Sequence, residues 1–317
     1  APPVPPGGRL DERHADLAAS VQTRLEEMVM ELAQWLYKAA DGPAALAMAG
    51  GVALNCVANA RLAAEGPYRH VWVQPAAGDA GTALGAALHL SVGDGDATVE
   101  PMPGAALGRS WSDEQLHGIL TRARVPFTRP VSVAVEAARV LADNGIVAWY
   151  QGRSEYGPRA LGHRSLLAHP GHADNTERLN DVKGREQFRP VAPMVTAERA
   201  GELFEGRLPS PYMLFVHRVR PEWAPRLPAV THVDGTARVQ TVDAATEPLL
   251  ADLLAEFANR TGIPVLVNTS LNTAGRPMVD SPQDALELFG AAPVDMLALG
   301  PFAVHRGRLM AAAGAAP

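Results

Sequence analysis

Leu17, Val21, Leu25, Met28, Leu32 and Leu36 recur at steps of three and four residues. That period places them on one stripe and predicts a helix over residues 11–40, ended by Asp41 and Gly42. The pattern then changes. "AALAMAGGVALN" (44–55) is a short apolar run interrupted by Gly50-Gly51, which suits a buried strand, a tight turn and a helix start. "HVWVQPAAGDAGTALGAALHL" (70–90) repeats the scheme. Two successive units of strand, glycine turn and helix predict an α/β sheet with ligand at the strand C-termini.

Residues 91–110 are rich in Gly, Pro and Asp, show no period, and read as a linker. A helix from Val131 to Asp143 then leads into the strand "GIVAWYQG". "QGRSEYGPRALGHRSLLAHP" (151–170) follows, fits neither a helical nor a strand period, and reads as a glycine-interrupted loop. Residues 172–195 end in an apolar strand, and "THVDGTARVQTV" (231–242) sets Asp-Gly between short β-prone segments, a hairpin signal. "TEPLLADLLAEFANRTG" reads as an amphipathic helix, "IPVLVNTS" as a buried strand running out into polar residues, and "SPQDALELF" as a helix start capped by Ser281. No internal repeat is evident, and the one biased tract is the Ala-rich tail.

Composition narrows the class. A chain of 317 residues, 47% hydrophobic, is long enough for about two domains and a sizeable core. Its net charge of −6 argues against a general nucleic-acid or membrane-surface binder. The single cysteine, Cys56, rules out an intrachain disulfide framework and fits a reducing cytosol, so a cytoplasmic location is expected. No apolar run approaches the roughly 18 residues of a membrane span. "APPVPPGGRL" at the start has neither a basic nor an apolar leader segment and no initiator methionine, the expectation for a processed chain or a fragment.

Against this acidic balance, positive charge gathers in a few places. Arg153, Arg159, Arg164, Lys183, Arg185, Arg189 and Arg238 fall mostly in Gly/Pro-marked loops after strands, with His163 among them. Arginine holds phosphate or carboxylate through a planar fork, and glycine lets backbone N–H groups approach an anion. The pattern reads as a concave polyphosphate site, although any single arginine reads as well as a surface ion pair. "VLVNTSLN" adds Asn268, Thr269, Ser270 and Asn272 at a strand end, where they bind a nucleotide or close a turn. Earlier in the chain, Gly50, Gly51 and Asn55, then Gly78, Asp79 and Gly81, mark two turns suited to phosphate, with Asp79 a metal ligand or an ordinary turn residue. The histidines are scattered, no HExxH, CxxC or GxSxG pattern occurs, and Cys56 reads as a buried small residue.

Taken in order, "AGGVALNCVANARL", "VQPAAGDAGTALGAAL", "GRSEYGPRALGHRSLLAHP", "KGREQFRPVAP", "THVDGTARVQTV" and "VNTSLNTAGRPMV" resemble the O-carbamoyltransferases of antibiotic and nodulation-factor biosynthesis, from about residue 44 to 305. The resemblance implies an α/β fold. Residues 1–106 would be the C-terminal half of an actin- or sugar-kinase-type transfer domain, and residues 107–317 a YrdC-like domain with a twisted sheet. It implies that the YrdC-like part joins ATP to carbamate released from carbamoyl phosphate, giving carbamoyl adenylate, and that the actin-type part passes the carbamoyl group to a hydroxyl of a small-molecule acceptor. ATP, Mg²⁺ and Fe²⁺ would be the cofactors, with neither nucleic acid nor membrane as a partner.

Carried over by motif, Arg159, Lys183, Arg189, Arg238 and Ser270 would line the adenylate-forming site, together with Asn268. Asp79 would be a metal ligand of the transfer site, and Gly50, Gly51, Asn55 and Gly78 would contact nucleotide there. Family members are longer, so the half carrying the metal-binding histidines is expected from a preceding segment or another chain. Two other readings stand beside this one: a module that makes or holds the adenylate without transfer, and a sugar-kinase-like phosphotransferase, which leaves the basic residues of 151–189 unexplained.

Overall fold

The computed structural model describes residues 3, 4, 8, 10–95 and 102–314. Residues 96–101 of the predicted linker and the end of the Ala-rich tail lie outside the described residues. The first helix, α1 (Glu12–Ala39), starts at a capping box between Asp11 and His14 and ends where Asp41 and Gly42 turn to positive φ. Two short parallel strands follow, β1 (Ala45–Met48) and β2 (His70–Val73), joined through a 3₁₀ turn and helix α2 (Cys56–Glu65). Helix α3 (Asp79–Gly93) leaves β2 after a turn. The two predicted units of strand, glycine turn and helix are therefore present.

The remainder folds around a second, larger sheet. Helices α4 (Asp113–Arg122) and α5 (Val133–Ala142) precede β3 (Val147–Tyr150) and β4 (Arg164–Ala168). Then come α6 (Asn175–Lys183), β5 (Ala192–Thr196), α7 (Ala197–Leu203), β6 (Phe204–Glu205), β7 (His217–Val219), β8 (Thr236–Ala237) and β9 (Gln240–Val242). The chain closes with α8 (Pro248–Thr261), β10 (Leu266–Ser270), α9 (Pro282–Ala291), β11 (Met296–Leu299), β12 (Phe302–His305) and α10 (Arg306–Gly314). Seven strands form one mixed sheet in the order β12-β11-β3-β4-β10-β5-β9, and β6-β7-β8 form a small separate one. Every residue of β3, β4 and β11 is buried, and α5 packs along α8 over the core that includes Trp149, Leu166 and Phe257.

Three sequence expectations change here. The stretch 151–170 is not loop throughout: its second half is the central strand β4, held antiparallel between β3 and β10. A strand buried on both faces shows no alternation, and the arginine at its start disguised it. Helix α6 follows within a stretch for which the sequence predicted only a terminal strand; its two apolar residues, Leu179 and Val182, are buried. No hairpin forms over residues 231–242. Asp234 and Gly235 do make a tight turn, closed from His232 to Thr236, but β8 pairs antiparallel with β7 while β9 pairs parallel with β5.

Candidate anion-binding site

The loop from Gln151 to His163 owes its shape to one buried carboxylate. Glu155 Oε1 accepts the backbone N–H groups of Leu161 (2.7 Å), His163 (2.9 Å) and Arg164 (3.2 Å). Asn268, fully buried on β10, donates to the carbonyl of Ala160 (3.2 Å) and to Gln240 Oε1 (2.6 Å), and Gln240 donates to the carbonyl of Leu161 (2.7 Å). Gly162, at φ +102°, lies where a Cβ would meet Leu250 Cδ2 at 2.3 Å. The loop is thus fixed from both sides, and Asn268 supports it from behind. Sequence reasoning passed over Glu155 and Gln240, because a carboxylate among arginines and a glutamine in a strand carry no motif of their own.

The basic residues divide by what they touch: some are held by backbone carbonyls or carboxylates, while others, such as Lys183 and Arg185, meet only neutral acceptors, Arg185 donating to Asn180 Oδ1 at 2.5 Å. Arg164 is fully buried, its guanidinium 3.6 Å above the centre of the Tyr150 ring, and it donates to the carbonyls of Gln151 (2.8 Å), His163 (3.1 Å) and Gly152 (3.2 Å). Its Nε has no partner among the described residues, but three carbonyls and the Tyr150 face hold the rest of the guanidinium. Arg153 reaches the carbonyl of Leu107, and His163 faces Glu247 at 3.1 Å. Arg189 is exposed and paired with Glu186 at 2.5 Å.

Lys183, Arg159, Arg185 and Arg238 are different. Helix α6 ends at Lys183, and left-handed Gly184 turns the chain away, so the ammonium points back toward the end of β10. Lys183 is 4% exposed; its Nζ donates to the carbonyl of Ser270 (2.5 Å), Ser270 Oγ (2.9 Å) and Asn272 Oδ1 (2.5 Å). None of these acceptors carries charge. Burial, aided by Arg185, lowers the Lys183 pKa to about 7. Burial first, and the Arg159 charge second, bring Arg238 down to about 10, and burial also lowers Arg159 and Arg185. The Nε groups of Arg159 and Arg238 are buried without a partner among the described residues. Arg185 repels both Lys183 and Arg238, Arg159 repels Arg238, and none of the four is hydrogen-bonded to a carboxylate, an arrangement suited to a multiply charged anion.

The N-terminal unit closes one side of this site. Arg159 donates to the carbonyl of Leu54 at 3.4 Å. Cys56, half-buried at the first position of α2, interacts electrostatically with both Arg159 and Arg238, so it sits at the seam and not in a core. Further along the seam, Tyr156 donates to the carbonyl of Ala80, and Asn59 donates to the carbonyl of Leu214 at 3.0 Å. Asn55 spends its carbonyl oxygen capping α2 through Ala58 N–H (3.1 Å) and exchanges hydrogen bonds with Gln22 of α1. A Cβ on Gly51 would meet nothing within 4 Å, and Gly50 donates its N–H to the carbonyl of Ala77 at 2.7 Å. Gly78 precedes α3, and Asp79 is an exposed carboxylate at its first position. Among the described residues no group of three or more His, Cys, Asp or Glu side chains comes together to hold a metal.

Comparison with known proteins gives this geometry a family. The Carbamoyltransferase C-terminus family matches residues 138–306, more than half of the chain, and the Carbamoyltransferase N-terminus family matches residues 7–88. Nodulation protein NolO of Bradyrhizobium diazoefficiens is 42% identical over 93% of this chain and 55% of its own length. Nodulation protein U of the same organism is 41% identical over 84% of this chain and 46% of its own. The chain therefore spans about half the length of the curated relatives it matches. Among solved structures, HypF of T. kodakarensis overlays with a TM-score of 0.35 at 20% identity, covering 50% of this chain and 20% of that one. The two family matches, in the order N-terminus then C-terminus along one polypeptide, establish that the chain belongs to the carbamoyltransferase family.

Proposed function

We propose that the site around Lys183, Arg159, Arg185 and Arg238 activates a carbamoyl group with ATP. The observation that carries this is a cluster of four cations, Lys183 buried and the three arginines half-buried, none hydrogen-bonded to a carboxylate, in a chain of the carbamoyltransferase family. Carbamoyl phosphate loses its phosphate to water and leaves carbamate. A carbamate oxygen then attacks the α-phosphorus of ATP, the bond to the β-phosphate breaks, and pyrophosphate departs with carbamoyl adenylate left behind. Negative charge grows on the departing pyrophosphate, and fixed cations in a poorly solvated pocket stabilise it where it grows. Arg159 and Arg238 bring charge that no carboxylate hydrogen-bonds, Lys183 is steadied by Ser270, and Arg189 lies exposed in the loop that follows α6. Mg²⁺ enters with ATP as part of the substrate, because this pocket offers it no carboxylate.

Transfer from the adenylate to an acceptor hydroxyl, with AMP as the leaving group, belongs to residues 1–106 together with the part of the longer relatives that this chain does not span. Residues 107–317 are the adenylate-forming unit on this reading. Iron does not fit the residues present: Asp79 belongs to no group of three or more His, Cys, Asp or Glu side chains among the described residues. The isolated chain accordingly stops at the adenylate. Incubation with radiolabelled pyrophosphate, ATP and carbamoyl phosphate tests the reading. Carbamoyl phosphate-dependent incorporation of label into ATP is expected, and its absence in folded protein would refute adenylate formation.

A further inference from the structure

Strands β3 and β11 run parallel and end side by side at Tyr150 and Leu299. The carboxyl ends of neighbouring parallel strands are a common place for a ligand. Beyond these two ends lies an open cavity of about 490 Å³, walled by Trp111 and Asp113 at the start of α4, Arg129 before α5, Pro301 after β11 and Leu249 of α8. Gln151, the residue after β3, also lines it and is only 8% exposed. Its Nε2 donates to the carbonyls of Gly300 (2.9 Å) and Ala298 (3.4 Å), which fixes the amide. Its Oε1 accepts no hydrogen bond among the described residues and is not sealed off by protein, so it opens on the cavity. A buried, immobilised acceptor left unused calls for a donor from outside the chain.

The charge lining this cavity is internally balanced. Arg129 donates to Asp113 Oδ2 at 2.7 Å and lies over the Phe302 ring, 5.6 Å from its centre. These are the only charged side chains in the lining, and they cancel. The cavity therefore selects against phosphate, unlike the pocket around Lys183. Asp113 keeps lone pairs that accept, and Arg129 keeps N–H groups that donate. Trp111, Pro301 and Leu249 add apolar walls. Hydroxyl groups both give and take hydrogen bonds, and the C–H faces of a sugar ring pack on aromatic and apolar side chains. We propose that this cavity binds a neutral pyranose, with one hydroxyl donating to Gln151 Oε1 and others engaging the Asp113–Arg129 pair. The site is independent of the reading of Lys183 and its neighbours as an ATP pocket.

Ligand-observed NMR on the 317-residue chain tests this with the methyl pyranosides of glucose, galactose and mannose, with glucuronate as an anionic probe and serine as a zwitterionic one. At least one pyranoside should bind, and glucuronate and serine should bind more weakly. Asp113→Asn and Gln151→Leu should each weaken the bound pyranoside about tenfold, the loss of one or two hydrogen bonds. Asp113→Asn also leaves Arg129 uncompensated, so glucuronate should gain on the pyranoside. The Asp113 side chain is partly exposed, so its variant decides even where Gln151→Leu does not fold. Binding of no pyranoside, or unchanged affinity in Asp113→Asn, overturns the site. Tighter binding of serine or glucuronate than of any pyranoside by the wild type overturns the neutral-sugar assignment. Displacement of the pyranoside by inorganic tripolyphosphate would put the sugar in the cationic pocket and overturn it as well.

Discussion

Lys183 holds an ammonium where water solvates it poorly. With its pKa at about 7 in the folded protein, against the ordinary lysine value of 10.5, the folded chain holds this proton less tightly than the unfolded chain does. Between those two values the unfolded chain is the more protonated, so this group makes stability rise with pH across that window and depress it below. A bound polyanion reverses the preference and draws the proton in. Binding of tripolyphosphate at about pH 8 should therefore take up a proton, seen as a dependence of binding enthalpy on buffer ionisation enthalpy. The dependence should vanish in Lys183→Ala. Arginines separate on a second measurement. Arg238→Ala should slow pyrophosphate exchange about 10²- to 10³-fold with little change in melting temperature, because an unpartnered cation contributes to binding charge and not to the fold. Arg164→Ala should instead lose on the order of 3 kcal/mol in urea unfolding, since three carbonyls and the Tyr150 face lose their partner. Nothing in the spacing of Arg159 and Arg164, five residues apart in one motif, separates these roles.

Secondary-structure elements were legible where local chemistry is strong. Ser281 caps α9 through Asp284 N–H at 3.1 Å, and Asp284 reaches back to the Ser281 N–H at 3.0 Å. Ser281→Ala should cost about 1 kcal/mol in denaturant unfolding. Glycines in the motifs look alike in sequence but not in structure. Gly162→Ala sets a Cβ into Leu250 at a positive φ and should lower the melting temperature by several degrees, while Gly51→Ala, with open space around it, should leave it nearly unchanged. A thermal melt of both variants checks the contrast. Strand β4 and the partners of β8 and β9 were not legible, because strand pairing depends on distant segments. A buried central strand carries no alternating signal, and Asp-Gly makes a turn whether or not the flanking segments pair.

At the scale of the molecule, burial is uneven. Helix α3 contains no buried residue, though Leu88, Leu90 and Val92 lie on it, and α1 exposes Leu32 and Trp35. Patches of this kind mark a surface that another element covers. The part of the longer relatives that this chain does not span is the proposed cover. Amide exchange should accordingly be fast in α3 and slow in β4 for the isolated chain, and α3 should gain protection on co-expression with a segment corresponding to the remainder of a relative such as NolO. Unchanged exchange in a complex that forms would exclude α3 as its docking face.

The sequence by itself determined the helical stripe of α1, the two units of strand, glycine turn and helix, the cap of α9, and the family motifs that single out Lys183, Arg159 and Arg238. Those features depend on period, capping chemistry and short-range spacing, all of which act within a few residues. Tertiary structure decided which cations are free. Arg164 is spent on carbonyls of its own loop, Arg189 on a neighbouring glutamate, and Lys183 is left with neutral acceptors because α6 delivers it to the end of β10. It also decided that Cys56 and Leu54 close the seam beside the arginines. Desolvation and charge repulsion arise from segments far apart in the chain, and no local pattern records which of them meet.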